Sequence, residues 1–419
     1  MEKVKFAKDF KFGVATASTQ IEGGDTNNTW YEWTKDGKNT KDGTWCFRAN
    51  NHWNKYKEHI DLMKEFKIQI YRLSIEWSRI EPKDGEFNKE AMDHYIDEIK
   101  YMKSKGIEPL VTLHHFSNPI WFEKLGGFRK RKCVYYFERY TRYVANALKG
   151  LVDEFCTINE PNVYSIECFL FGAWINQKKN FFLTMSVLRH LASAHIAAYK
   201  TLHEVIPGCK VGIAANLNHF IPKNPNSKKD VRWAKFYNQA YNEAICYAMG
   251  QGKLIFPMGH RKAQGDFFDY FGVNYYITNT CDGSKLGFKE EWPVDDMNRG
   301  TYAAGFRALC EHFHKLFPAK PIYITENGTC DRDDSDRCQF LYEHLKAIAD
   351  LDYVKRYYQW SFLDNFEWDW GEDQKFGLVE YDYEHDTYKP RRSCYMYAEV
   401  IDNKGFTDEM IKKYNLQEK

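Results

Sequence analysis

Glu154-Phe155-Cys156-Thr157-Ile158-Asn159-Glu160-Pro161 reads as a short buried strand that stops on a carboxylate. β-Branched and aromatic residues fill it, and a polar pair stands where strand gives way to loop. Ile322-Tyr323-Ile324-Thr325-Glu326-Asn327-Gly328 repeats the arrangement far downstream. One Glu in such a place serves equally as a salt-bridge partner or as a cap for the next element. Two in matching settings, each flanked by Asn, ask for a scaffold that carries two distant strand ends to one place.

Reading outward from these stretches gives strands at residues 10–18, 68–75, 107–113, 154–158, 210–215, 270–276, 321–325 and 354–360. Helical patterns fill residues 52–66, 88–105, 132–148, 184–205, 230–249, 301–317, 336–351 and 391–401. On the second of these Met92, Tyr95, Ile96, Ile99 and Met102 form one stripe, and Gly106 stops it. Eight short apolar strands alternating with helices, with no Gly/Ser- or Pro-rich linker between them, imply an α/β fold. The expectation is a single (β/α)8 TIM barrel occupying residues 1–419 as one domain. No GxGxxG follows any strand, which argues against a doubly wound sheet.

Length alone, at 419 residues, allows one large domain or several ordinary ones. Aromatics at 17% supply core material and also flat apolar faces, and composition does not separate the two uses. A net charge of +1, without any long single-sign block, gives no argument for a nucleic-acid or acidic partner. Met1-Glu2-Lys3-Val4-Lys5 leads into no apolar stretch, so no signal peptide is expected. No segment approaches the ~18–20 apolar residues of a membrane span. The 11 cysteines include no CxxC pair and read as reduced thiols of a cytoplasmic protein. Asn327-Gly328-Thr329 is a glycosylation sequon, and a glycan beside Glu326 would be awkward, which favours the same compartment. No cofactor is expected, and oligomeric state is not legible.

The unusual polar residues fall at the expected C-terminal strand ends: Gln20, then Arg72 and Glu76, then His114 and His115, then Asn159 and Glu160. Asn274 and Tyr276, Glu326, and finally Trp360, Glu367 and Trp368 complete the series. Active sites of eight-fold barrels lie on that rim. Adjacent residues on a strand point to opposite faces, so His114 and His115 make a poor metal pair, and no metal site is expected.

With those residues in place, the chain resembles the family 1 glycoside hydrolases, the β-glucosidase-type retaining enzymes, nearly end to end. The resemblance rests on Phe12-Gly13-Val14-Ala15-Thr16-Ala17-Ser18-Thr19-Gln20-Ile21-Glu22-Gly23, Thr157-Ile158-Asn159-Glu160-Pro161, Ile324-Thr325-Glu326-Asn327-Gly328 and Trp360-Ser361-Phe362-Leu363-Asp364-Asn365-Phe366-Glu367-Trp368. It implies Glu326 as nucleophile, Glu160 as acid/base, and Arg72, Asn274 and Tyr276 as their close neighbours. It implies Gln20, His115, Asn159 and Glu367 as sugar-hydroxyl ligands, with Trp360 as floor and Trp368 as side wall. The implied activity is exo-acting hydrolysis of unphosphorylated β-glucosides, with β-galactosides and β-fucosides as further substrates. A β-mannosidase or β-galactosidase of the same family, or a non-catalytic sugar-binding relative, is the alternative. The partner is a small-molecule β-glycoside or oligosaccharide.

Physical chemistry agrees with those roles. A retaining pair needs carboxyl groups about 5–5.5 Å apart on opposite sides of one bond. Ionised Glu326 would raise the pKa of Glu160, and forming a glycosyl ester would remove that charge. Pro161 biases Glu160 towards an extended backbone. Glu367 beside the 4- and 6-hydroxyls would repel a 6-phosphate. The chain departs from the family pattern at Arg299, where a Trp is usual, and at Ala303, where a Pro is usual. The loop carrying Trp174 and the shortened region 220–266 also differ. These departures bear on the leaving-group side.

Overall fold

The runs of Val, Ile, Tyr and Phe form eight strands. They are β1 (Lys11–Ala15), β2 (Ile70–Ser74), β3 (Glu108–His114), β4 (Glu154–Asn159), β5 (Lys210–Asn216), β6 (Tyr270–Tyr275), β7 (Ile322–Asn327) and β8 (Val354–Trp360). The computed structural model describes residues 4–417; the first three residues, on which the reading of the N-terminus partly rests, lie outside them. The strands are all parallel and close in the order β1-β8-β7-β6-β5-β4-β3-β2, the (β/α)8 barrel expected. β2, β4, β6 and β7 are buried along their whole length, because packed side chains fill the barrel and helices cover its outside. β1 ends at Ala15, short of the expected Ser18, because Ser18–Ile21 coils into a helical turn that carries Gln20.

Register shifts fall where the sequence places its carboxylates. β4 slips against β5 between Cys156 and Asn159, and β7 slips against both neighbours after Ile324. An irregularity of this kind bends a strand and re-aims the side chains beyond it. Gly328, just past β7, has no room for a side chain: a Cβ there would land on the Trp360 carbonyl oxygen.

The helix Lys89–Ser104 shows how the outer layer forms. Asn88 caps it, its side chain accepting the Ala91 N–H at 3.1 Å. Met92, Tyr95, Ile99 and Met102 are buried as the stripe requires, but Ile96 is only half-buried and Glu98 takes the inner place. Glu98 bonds to His52 Nε2 at 3.0 Å. Burial pushes this carboxyl up to about 7 and the imidazole down to about 3, so the pair is buried uncharged.

Two helices depart from expectation. The stretch expected as one helix over 230–249 runs as Lys228–Tyr237 and Ala244–Gln251 with a π-helical turn, Asn238–Glu243, between them. Phe181–Val205 is, by length and composition, long and apolar enough to cross a bilayer, contrary to the sequence reading. Half of its most apolar window is buried, and it packs along Cys133–Leu148. All eleven cysteines are free and buried. The sequon Asn327 is wholly buried, its amide donating to the Tyr275 carbonyl at 2.7 Å.

Candidate active site

Arg72 lies at the base of the site, fully buried on β2. A guanidinium in a barrel interior must be paired. Its Nη1 donates to Glu326 Oε1 at 2.5 Å and to the Thr325 carbonyl at 3.2 Å. Its Nη2 donates to Asn159 Oδ1 at 2.7 Å, and its Nε to Thr112 Oγ1 at 3.1 Å. One side chain thus ties together the ends of β2, β3, β4 and β7. The other oxygen of Glu326, Oε2, accepts the Tyr276 hydroxyl at 2.7 Å.

Asn274, at the end of β6, joins the two carboxylate strands. Its Oδ1 accepts the Thr325 hydroxyl at 2.6 Å, which orients the amide. Its Nδ2 then donates to Glu160 Oε1 at 2.8 Å and to Asn159 Oδ1 at 3.1 Å. Asn216 Nδ2 donates to the same Glu160 oxygen at 3.0 Å, and Tyr241 holds that amide in turn, donating to Asn216 Oδ1 at 2.8 Å. Glu160 Oε1 therefore accepts two N–H groups, while Oε2 has no partner among the described residues. A proton on Glu160 belongs on Oε2.

The backbone of Glu160 corrects one expectation. Pro161 does not hold it extended; Glu160 is left-handed, with φ of 41° and ψ of 58°, and Pro161 opens the following helix. Phe116 and Trp368 share this sign, with φ of 65° and 52°. Three non-glycine residues lining one cavity in a conformation that costs roughly 1–3 kcal/mol each mark a site the rest of the fold over-determines.

The two carboxyl groups differ in their electrostatics. Both are buried, which raises both. Against that rise, Glu326 has the Arg72 charge and the Tyr276 hydroxyl. Glu160 feels the negative charge of Glu326 on top of its burial, its amide donors and the more distant Arg72 charge offset this only in part, and it stands at about 8. Arg72 therefore selects Glu326 as the group that ionises and Glu160 as the one that keeps the shared proton.

Above this pair opens a cavity of about 240 Å³. Of the residues singled out in the sequence, Glu160, Glu326, Tyr276, His115, Asn159, Trp360, Glu367 and Trp368 line it. Arg72, Asn274 and Gln20 stand behind, bonded to those that do. Gln20 Nε2 donates to the Phe366 carbonyl at 2.6 Å, to Asn365 Oδ1 at 2.9 Å and to Glu367 Oε2 at 3.3 Å. His115 Nε2 meets Asn159 Nδ2 at 2.9 Å, and its ring lies 5.8 Å from that of Trp368 and 6.0 Å from that of Trp360. His114 points away into Phe128 and Tyr164, with Asn118 on its Nε2 at 3.0 Å. Among the described residues no group of three or more His, Cys, Asp or Glu is placed to hold a metal. Glu76 reaches the rim but not the cavity; it gathers hydroxyls from Ser18, Thr19, Ser78 and Ser117.

Other residues join the site without having been singled out. Asn216 was hidden by ending β5 one residue early; a polar residue at a strand end was the signal. Phe116, Tyr241 and Trp370 line the cavity from loops and from the widened turn, where no periodicity points to them; Trp174, whose loop departs from the family pattern, lines it too. Arg299, singled out in the sequence only as a departure from the family pattern, also lines it, ion-paired through Nη2 to Asp295 at 2.6 Å, its guanidinium carbon 5.4 Å from the Phe376 ring centre.

A parallel eight-fold barrel with a charge-paired and an unpaired carboxyl group at its C-terminal rim defines a class, the barrel glycoside hydrolases. The sequence profile of glycosyl hydrolase family 1 matches residues 2–406, and the chain belongs to that family and is a glycoside hydrolase. Beta-glucosidase A of Thermotoga maritima is 29% identical over 97% of this chain and 100% of its own length. Beta-glucosidase A of Acetivibrio thermocellus is 30% identical with the same coverage. Among solved structures, the beta-glycosidase from Pyrococcus horikoshii superposes with a TM-score of 0.90 at 34% identity, covering 99% of each chain. The Thermotoga maritima beta-glucosidase in complex with glucoimidazole gives 0.89 at 28% identity, covering 96% of this chain and 100% of that one.

Proposed function

We propose that the protein is an exo-acting retaining β-glycosidase of unphosphorylated β-glucosides, with Glu326 as nucleophile and Glu160 as acid/base. The observation that carries this reading is the asymmetry of the pair: Arg72 and Tyr276 on Glu326, amides alone on Glu160. In the first step a Glu326 oxygen attacks the anomeric carbon. The bond to the leaving oxygen breaks, and that oxygen takes the proton from Glu160 Oε2. The resulting ester carries no charge, so the repulsion that kept Glu160 protonated is gone. Glu160 is then a base, and it removes a proton from the water that attacks the same carbon and frees Glu326.

The glycone assignment has its own support. His115 lines the cavity, and its Nδ1 is a buried donor position without a partner among the described residues, suited to a sugar hydroxyl. Glu367 adds a carboxylate at the cavity wall, which disfavours a phosphate there. The Thermotoga maritima relative has been solved with both glucoimidazole and a galacto-hydroximolactam, which favours galactosides as further substrates here. The test is turnover of an aryl β-glucoside panel by the purified protein and by Glu326→Ala. The variant is expected to lose at least about 10⁴-fold in kcat; wild-type turnover by the variant refutes the assignment.

A further inference from the structure

Two stretches, residues 124–137 and 168–203, contain no acidic residue, in a chain whose net charge is only +1. The fold lays their ends together. Cys133–Leu148 and Phe181–Val205 pack along each other, and both start at the cavity rim, since each follows the C-terminal end of a barrel strand. His190 Nδ1 meets the Phe128 carbonyl at 2.9 Å, just before the shorter helix begins. Of the turns before that contact, the first is open to solvent: Phe181 and Phe182 are exposed, while Thr184, Met185, Val187 and Leu188 are buried.

The N-terminal end of the longer helix and the loop before it are aromatic and basic. Phe181 and Phe182 are 45% and 80% exposed, with ring centroids 5.7 Å apart, and Phe171 is 58% exposed. Lys178 and Lys179 precede them and are exposed, as are Arg131 and Lys132 at the start of the neighbouring helix. Clustered exposed aromatics mark a contact surface. Lys178 and Lys179 lie in the acid-free stretch and make no ion pair among the described residues, which favours an anionic partner. Exposed rings beside exposed lysines suit a headgroup layer into which rings insert while lysines meet phosphates.

We propose that this tip docks the enzyme on an anionic lipid surface, with Phe181 and Phe182 entering the interface and Lys178 and Lys179 held at the headgroups. The loop joining Phe171 to Phe181 carries Trp174, which lines the cavity. Docking therefore brings the cavity mouth against the lipid.

Co-sedimentation of the full chain tests this, using phosphatidylcholine vesicles with and without 40% phosphatidylglycerol, at low and high salt. Binding is expected to the mixed vesicles, weaker at high salt, and at least about tenfold weaker in a Phe181→Ser/Phe182→Ser variant. Each of Lys178→Gln and Lys179→Gln should weaken it about fivefold. Far-UV circular dichroism and the thermal midpoint report whether the variants fold, and their turnover of a soluble aryl glucoside should match wild type. No binding to the mixed vesicles, or equal binding by wild type and the folded double-Phe variant, overturns the proposal. So does a concentration-dependent dimer that the double-Phe variant abolishes, which would assign the tip to a second copy of the chain.

Discussion

Glu160 stands at about 8 because burial and the Glu326 charge outweigh its amide donors. Its protonated form is the working form for the first step, so kcat/KM should fall as pH rises through about 8. In Asn216→Ala one donor to the carboxylate is lost, its pKa rises further, and that alkaline limb should move to higher pH. A limb that stays in place would show that Asn216 does not act on Glu160. Arg299 offers a second check. Burial raises Glu367 to about 7, and the Arg299 charge opposes that rise. Arg299→Trp removes the cation, so Glu367 should be less ionised at neutral pH, and KM for an aryl glucoside should rise several-fold between pH 6 and 8 with the Glu160 limb little changed.

At the scale of elements, the seam between β7 and β8 is the narrow place. Gly328→Ala puts a methyl group against the Trp360 carbonyl, an overpacking that costs roughly 1–3 kcal/mol. A lowered thermal midpoint with a raised KM, since Trp360 lines the cavity, is expected. The barrel strands were legible because a sheet covered on both faces must be written as short apolar runs. The carboxylates were legible because acids at such strand ends have few reasons to exist. What escaped was geometry that no periodicity encodes: the left-handed turn at Glu160, overriding the bias of Pro161, and the π-helical turn that points Tyr241 at Asn216. The inner place of Glu98 escaped too, because its partner His52 lies on another helix.

Over the whole molecule, buried acids and buried imidazoles oppose each other. Glu22, Glu160 and Glu367 are raised by burial to about 8, 8 and 7. Such groups stabilise the fold fully below their unfolded pKa, and that contribution is lost as pH rises through the folded value. His52, His114 and His195 are lowered by burial to about 3, 4 and 4. Their contribution is complete above about 6.5 and is lost as pH falls. Between pH 6.5 and 8.5 only the acids still titrate, so the thermal midpoint should fall by several degrees across that window. A midpoint that rises there would show that these carboxyls are not buried in the acid form.

Arg72 and Asn274, both wholly buried, lie beneath the carboxyl pair and close the cavity on that side. On the proposed reading the sugar lies against that closed side and the aglycone outside it, so the aglycone departs first. Release in that order makes free glucose, the last product on this reading, a competitor of incoming substrate.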